Sequence, residues 1–259
     1  MIELELCPIA FNIGPFEIRW YGIMVVLAVI AIIVIAIVEA RRVGVHDDHI
    51  YNLGVWAVIG GILGSRIIHV IDKWDYYMAN PLQILNFEGL AVYGAVLGVI
   101  AAIIGYCLIK KLSILQIADV VSPGALVGMA IGRIGCIFNG CCYGLVTGLP
   151  WGVVYECPTS YAPQGIPLQP TQEYHIIWNL IAFGIVWALR KHLKPQGSIF
   201  LLYLAFYAAG DLLIRTFREG DPFMFGLQQA QVIGILMLVI VIPIFVVRMV
   251  QAKKKEKAG

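Results

Sequence analysis

Seven runs of mostly apolar residues, each about 20 residues long, dominate this 259-residue chain. Crossing the hydrocarbon core of a bilayer takes about 20 residues of helix, and lipid leaves the backbone to satisfy its own hydrogen bonds. Because 60% of the residues are apolar and only 13% are charged, an ordinary soluble globular protein is excluded. We therefore predict an all-α integral membrane protein built as a seven-helix transmembrane bundle. The predicted spans are Arg19–Val38, Tyr51–Ile71, Gly89–Ile109, Ile114–Phe138, Gln172–Leu189, Gly197–Phe217 and Gln228–Arg248.

The distribution of positive charge predicts the orientation of the bundle. Twelve of the 18 Lys and Arg residues fall at residues 41–42, 110–111, 190–194 and 248–257. By the positive-inside rule this side is cytoplasmic, so the N-terminus lies outside and the C-terminus inside. We predict a single transmembrane domain over residues 1–259, with an extracytoplasmic head segment at residues 139–170 that contains no Lys or Arg. Within the head, WGVVYE at residues 151–156 is predicted to form a short strand.

Four arginines lie within the spans or at their ends on the predicted outer face. They are Arg19, Arg66, Arg133 and Arg215. An arginine at mid-membrane costs about 3 kcal/mol on insertion scales, and such residues usually face the bundle interior and mark a site. A planar guanidinium suits phosphate, so the four predict a pocket for an anionic phospholipid headgroup. The alternative is that each one snorkels to lipid headgroups or pairs with a structural acid, as Arg215 and Asp211 can at helical spacing.

The stretch GRIGCIFNGCCYG, residues 132–144, surrounds Arg133 with glycines and cysteines. Together with the residues before it, this stretch places small side chains along one stripe, which permits close approach of a helix or a lipid. The stripe consists of Gly124, Gly128, Gly132 and Gly135. Ordinary helix packing is the preferred interpretation for Gly124 and Gly128.

Four cysteines in or beside the head segment lie on the predicted outer side, where disulfides form. They are Cys136, Cys141, Cys142 and Cys157. Their spacing matches zinc sites poorly, so we expect no metal and no cofactor. A disulfide from Cys141 or Cys142 to Cys157 is the preferred use, whereas Cys7 and Cys107 are expected to be inert. A thiol oxidoreductase using Cys141 and Cys142 is disfavoured, because the chain has no CxxC motif.

GRIGCIFNGCCYG resembles the signature of the prolipoprotein diacylglyceryl transferase family, Gly-Arg-x-Gly-Asn-Phe-x-Asn-x-Glu-x-x-Gly. Further matches follow in the family's order along nearly the whole chain. They are IGPFEIRWYGIM at residues 13–24, GSRIIH at 64–69, YGAVLG at 93–98, PTQEYH at 170–175 and FREGD at 217–221.

The resemblance implies an enzyme of the bacterial cytoplasmic (inner) membrane. Such enzymes transfer the diacylglyceryl group of phosphatidylglycerol to the lipobox cysteine thiol of preprolipoproteins and release glycerol 1-phosphate. The implied partners are phosphatidylglycerol, lipobox segments and membrane lipids, with no role for nucleic acid. The implied catalytic residues are Arg133, Tyr21 and Tyr93, and the implied phospholipid-binding residues are Arg133, Arg66, Arg215, Asn139 and Gly144.

The chain departs from the family pattern at several signature positions. Cys136 stands for the asparagine, Cys141 for the glutamate, Gln169 for the histidine before Pro-Ser-Gln, and Tyr93 for the third-helix histidine that is thought to serve as the base. The acceptor thiol has an ordinary pKa near 8.5, so a weak base is sufficient to deprotonate it. That base would be Tyr93, assisted by arginines, or His69. The missing histidine favours the alternative of a phospholipid-binding or scrambling membrane protein without transferase activity.

Overall fold

The computed structural model describes residues 1–85 and 91–258, which form eight α-helices, a 3-10 helix at Pro81–Leu85 and six short strands. The helices are α1 (Trp20–Val43), α2 (Asp47–Asp72), α3 (Trp74–Ala79), α4 (Val92–Lys110), α5 (Ile114–Asn139), α6 (Thr171–Leu189), α7 (Ser198–Arg215) and α8 (Gln229–Ala258). The strands are β1 (Ile2–Leu4), β2 (Ile9–Ile13), β3 (Phe16–Arg19), β4 (Val153–Tyr155), β5 (Pro222–Met224) and β6 (Leu227–Gln228).

Each predicted span coincides with a long helix. Six of these helices, α1, α2, α4, α5, α7 and α8, are long and apolar enough to cross a membrane. The remaining one, α6, has 19 residues, and its polar start, TQEYH, lowers its mean hydropathy. The protein is therefore a mostly helical, multi-pass membrane protein, while the seventh span and the orientation stay predictions. The predicted start of the third span, Gly89, lies outside the described residues.

The chain divides into two compact units. The large unit consists of Met1–Ala36 and Ala118–Gly259, and the small unit of Ile37–Ile117. In the small unit, α2 and α4 pack at very close range through glycines. A Cβ atom added to Gly60 would lie 2.6 Å from the carbonyl oxygen of Gly98, and one added to Gly98 would collide with the carbonyl of Gly60. Only glycine permits this approach of the two backbones.

In the large unit, α5, α6 and α7 share an apolar core. Its members are Leu126, Ala182, Val186 and Ile199. Asp119, near the start of α5, accepts hydrogen bonds from the backbone N–H groups of Gly197 at 2.5 Å and Phe200 at 2.8 Å, and so caps the first turn of α7. This carboxylate fixes the start of α7 against α5.

The glycine stripe of α5 meets α1. A Cβ atom on Gly124 would lie 2.9 Å from the carbonyl oxygen of Ile32, and one on Gly128 would lie 2.6 Å from the Cδ1 atom of the same residue. These two glycines therefore serve helix packing. Gly132 has no described atom within 4 Å of the position that a Cβ would take, so the stripe opens next to Arg133.

Short strands tie the N-terminal residues to the head segment. β1 pairs in parallel with β4, so that Ile2 lies opposite Val153 and Leu4 opposite Tyr155. β4 confirms the strand predicted from WGVVYE, whereas β1 to β3 were not predicted. The head has a small core of its own, formed by Val153, Tyr155, Ala162 and Leu168, with Leu4 and Tyr143 packed against it.

Candidate functional site

Arg133 is a half-buried cation in the last two turns of α5. Among the described residues, its guanidinium has no hydrogen-bond or ion-pair partner. An unpaired charge among apolar helices is costly, and an anion placed beside it would remove that cost. Arg133 is therefore free to bind an anionic group.

Two further cations lie near Arg133. The charges of Arg133, Arg215 and Arg218 all reach the imidazole of His175, at the start of α6. The Nε atom of Arg215 donates a hydrogen bond to the carboxylate of Asp211 at 2.6 Å, which leaves Arg215 partly neutralised. The side chain of Arg218 has no acidic partner among the residues described. Arg133 and Arg218 thus form the part of this cluster that can receive a phosphate.

His175 and Arg218 are the members of this cluster that sequence reasoning missed. His175 is 4% exposed, and its Nε2 atom has no hydrogen-bond partner among the described residues. Arg218 lies one residue beyond the predicted span Gly197–Phe217. The motifs PTQEYH and FREGD contained both residues and were the available signal.

A cleft of about 750 Å³ opens beside α1 in the large unit. Its apolar wall consists of Ile18, Ile23, Val26 and Leu27, and its polar end of Glu17, Arg19, Tyr21 and Asn139. The structure thus brings together Tyr21 and Asn139, which sequence reasoning had assigned to separate roles. Tyr21 packs against α5, since a Cβ atom on Gly135 would lie 3.2 Å from the ring, and it is within electrostatic range of Arg133. An apolar wall with a polar end suits an amphipathic lipid.

The chain folds back on itself where α5 ends. Gly140 adopts a left-handed conformation with φ +64°, its N–H donates to the carbonyl of Ile137, and the N–H of Cys141 donates to the carbonyl of Cys136. These two bonds form a Schellman motif, which returns the backbone over the last helical turn. Cys141 and Cys142 consequently lie beside Cys136 instead of leading away from it.

The start of α6 holds this turn in place. The Thr171 hydroxyl donates to the carbonyl of Cys142 at 2.7 Å, and the amide of Gln172 donates to the carbonyl of Cys141 at 2.9 Å. Gly144 is buried at the same junction, where an added Cβ atom would lie 2.5 Å from the Cβ atom of Gln169. Gly144 therefore has a packing reason to be glycine, while its predicted role in phospholipid binding stays a prediction.

The sulfur atoms of Cys136, Cys141 and Cys142 all lie within 4.8 Å of one another. The side-chain amide of Asn139 donates to the sulfur of Cys141 at 3.6 Å. Hydrogen bonds from the other two thiols hold the pKa of Cys142 well below its usual range, and the charges of Arg218 and Arg133 act in the same direction. The fold thus gathers three thiols next to the cation cluster.

The predicted disulfide from Cys141 or Cys142 to Cys157 is wrong. Cys157 pairs with Cys7 instead, with their Cα atoms 5.5 Å apart. The physical reason is the pairing of β1 with β4, which carries the N-terminal segment to the head and places Cys7 beside Cys157. The expectation that Cys7 is inert is wrong for the same reason.

The remaining predicted residues, Arg66, Tyr93 and His69, belong to the small unit. Arg66 is buried, donates to the carbonyl of Gln83 at 2.7 Å and lies over the ring of Tyr77. Tyr93 is 69% exposed in the first turn of α4. It adjoins the close contact of α4 with α2, because the neighbouring Gly94 packs against Gly64.

Comparison with known proteins shows which family the chain resembles. The profile of the family described as prolipoprotein diacylglyceryl transferase matches residues 8–247. A protein of Dehalococcoides mccartyi named phosphatidylglycerol–prolipoprotein diacylglyceryl transferase is 40% identical over 99% of this chain and 98% of its own length. A protein of the same name from Clostridioides difficile is 35% identical over 88% of this chain and 90% of its own length. Another, from Lysinibacillus sphaericus, is 32% identical over 99% of this chain and 97% of its own length.

Proposed function

The chain belongs to the prolipoprotein diacylglyceryl transferase family, and we propose that it transfers the diacylglyceryl group of phosphatidylglycerol to the cysteine thiol of a prolipoprotein. This reaction is the first step of lipoprotein maturation, and it makes the protein a membrane-bound transferase. The observation that supports the placement of the site is the guanidinium of Arg133, which has no partner among the described residues and lies inside the motif that resembles the family signature.

The chemistry explains why an unpaired arginine is useful. The sulfur of the acceptor cysteine bonds to the terminal glycerol carbon of the diacylglyceryl group, and the bond from that carbon to the phosphate oxygen breaks. Glycerol 1-phosphate leaves with the electron pair, so the phosphate gains negative charge as the reaction proceeds, and the thiol proton passes to a base. A guanidinium held at the phosphate therefore stabilises the transition state more than the bound substrate.

We assign the phosphate to Arg133, with Arg218, which has no acidic partner among the residues described, as a second cation. Arg215 and Arg66 already have protein partners, Asp211 and the carbonyl of Gln83, and so we propose supporting roles for both. For Arg215 this contribution would be long-range positive charge, and for Arg66 it would be the fixing of nearby backbone in the small unit. The planar guanidinium of an arginine carries several N–H donors in a fixed geometry, so it also orients the phosphate. The single ammonium group of a lysine would orient the phosphate less well.

The cleft along α1 is the proposed route of the lipid. Its apolar wall would contact acyl chains that remain in the bilayer, while Tyr21 and Asn139 at its polar end would contact the headgroup. Diacyl lipids enter such a site sideways from the membrane, and the lipobox segment would approach from the water-exposed face. We further propose that the enzyme lies in the bacterial cytoplasmic membrane with its N-terminus outside, as the distribution of Lys and Arg predicts.

Tyr93 is the proposed base for the acceptor thiol. Its exposure leaves the hydroxyl accessible to a substrate, and Arg66 lies near the same contact of α2 with α4. His175 is the next candidate, although its Nε2 atom is buried and would have to be uncovered first.

The proposal is tested with purified protein, phosphatidylglycerol and a lipobox peptide, followed by mass spectrometry of the peptide. We expect the diacylglyceryl thioether and an equal amount of glycerol 1-phosphate, with no product from a control peptide in which serine replaces the cysteine. If phosphatidylglycerol stays bound and no thioether forms, the chain is a phospholipid-binding protein without transferase activity. The presence of Tyr93 in place of the family's histidine favours this alternative. That result would overturn the transferase assignment.

A further inference from the structure

The three thiols at the end of α5 form a cluster that the transfer reaction does not need. Cys136 is buried, Cys141 and Cys142 are half-buried, and their sulfur atoms lie within 4.8 Å of one another. The disulfide between Cys7 and Cys157 occupies two other cysteines, so these three remain thiols. We propose that Cys136, Cys141 and Cys142 form a binding site for a thiophilic metal ion of the Zn²⁺ or Cu⁺ type.

The backbone explains how cysteines with an unfavourable spacing come to share one ion. Four residues separate Cys136 from Cys141, and on an extended chain their sulfurs would point apart. The Schellman turn at Gly140 reverses the chain and returns Cys141 to the helical turn that carries Cys136. The spacing argument against a metal site, made from the sequence, does not include this reversal.

Cys142 is brought into the cluster by an unusual backbone conformation. Its φ angle of +65° lies in the left-handed region, which costs a residue with a side chain about 1 kcal/mol or more. Hydrogen bonds from Thr171 and Gln172 hold the carbonyls of Cys142 and Cys141, and both donors are at most 1% exposed. A buried part of the fold therefore maintains the arrangement of the sulfurs.

The donor set selects the class of ion. Three sulfur ligands without a carboxylate or carbonyl favour Zn²⁺ or Cu⁺ over Mg²⁺ or Ca²⁺. Zinc–sulfur bonds of about 2.3 Å correspond to sulfur–sulfur separations of about 3.8 to 4.0 Å, so small side-chain rotations within the present 4.8 Å limit are sufficient.

The surroundings suit the charge of a metal–thiolate cluster. Each ligating thiol releases its proton to solvent, so three thiolates around Zn²⁺ carry one net negative charge. Arg133 and Arg218 act electrostatically on Cys142, and the amide of Asn139 donates to the sulfur of Cys141. Such outer hydrogen bonds orient ligands and strengthen metal sites. The bound ion would link the last turn of α5 to the chain that follows it.

The test uses the full-length protein in detergent, in metal-free buffer without reductant. Thiol titration after denaturation should find four free thiols among the six cysteines, namely Cys107 and the three cluster residues. Titration with Cd²⁺ should then give a thiolate-to-metal charge-transfer band that saturates at one ion per chain. Competition with Zn²⁺ and with Cu⁺ identifies which of the two binds more tightly.

The variants Cys136→Ser and Cys142→Ser should each weaken Cd²⁺ binding by at least about 100-fold, since loss of an outer-shell partner alone costs about 10- to 100-fold. Cys107→Ala, in the small unit, is the matched control and should bind Cd²⁺ as the wild type does. Melting temperatures without metal show whether each variant keeps its fold. The proposal is overturned by an absent band, by equal binding in the cluster variants, or by a count of only two free thiols, which would mean a disulfide inside the cluster. Because the readout is binding, this result is independent of the transferase assay.

Discussion

At the scale of single residues, the four outer arginines differ in their partners. Three have partners in the fold: Arg19 with the hydroxyl of Tyr161, Arg66 with the carbonyl of Gln83, and Arg215 with Asp211. Arg133 has no partner among the residues described. The insertion argument alone gives all four the same weight, because the cost of insertion depends on depth in the membrane and not on contacts. The structure separates them, and Arg133 is the one left for a ligand.

Replacement of Tyr93 tests the proposed base. Tyr93→Phe removes the hydroxyl and keeps the ring, and we expect kcat to fall by about 10²- to 10⁴-fold, the usual contribution of a general base. The measurement is the rate of thioether formation as a function of pH. Tyr51→Phe, an exposed tyrosine of α2, should behave as the wild type. Unchanged activity of Tyr93→Phe would move the role of base to another group, with His175 the first to test.

At the scale of elements, the sequence predicts the helices well and the strands poorly. Long apolar runs determine the positions of membrane helices, so every predicted span coincides with a helix. The pairing of β1 with β4 joins residues 151 positions apart, Ile2 with Val153 for example, through strands of three residues, and no local pattern marks it. The disulfide prediction failed for this reason. Likewise, the local sequence around Gly140 did not predict the turn that brings Cys141 back beside Cys136.

The close contact of α2 with α4 predicts that alanine substitutions at two glycines of α4, Gly98 and Gly105, change the stability of the protein by very different amounts. A Cβ atom at position 98 collides with the carbonyl of Gly60, whereas a Cβ atom at position 105 meets no described atom within 4 Å. We expect Gly98→Ala to lower the free energy of unfolding by about 1 to 3 kcal/mol, as overpacking does, and Gly105→Ala to be neutral or slightly stabilising. Thermal unfolding of both variants in detergent is the measurement. Equal melting temperatures would contradict the contact.

A second pair of glycines tests the junction that supports the site. A Cβ atom on Gly144 would lie 2.5 Å from the carbonyl oxygen of Phe217, while Gly148 has open space. Gly144→Ala should displace the turn beside Arg133 and reduce transfer by at least about tenfold, because small displacements of positioning groups are costly. Gly148→Ala should transfer at the wild-type rate. Full activity of Gly144→Ala would show that the junction does not position the site.

At the scale of the whole molecule, one disulfide closes a long stretch of chain. Cys7 and Cys157 are 150 residues apart in sequence. Loss of a native disulfide typically costs about 2 to 5 kcal/mol, and longer loops lie towards the upper end. The double variant Cys7→Ser/Cys157→Ser should therefore melt several degrees below the wild type, and reductant should lower the melting temperature of the wild type but not that of the double variant. Cys107→Ala serves as the control. A wild-type protein insensitive to reductant would contradict the bond.

The central claim for the whole molecule is that Arg133 holds the lipid phosphate during transfer. The most direct measurement is the kcat/KM of thioether formation for Arg133→Ala beside Arg248→Ala, a variant of an arginine near the C-terminus whose side chain donates to the carbonyl of Gln196. We predict that Arg133→Ala loses at least about 10²-fold, in the range seen when one transition-state donor is removed, with an unchanged melting temperature. Arg248→Ala should keep wild-type activity. Equal kcat/KM values for the two variants would contradict the claim.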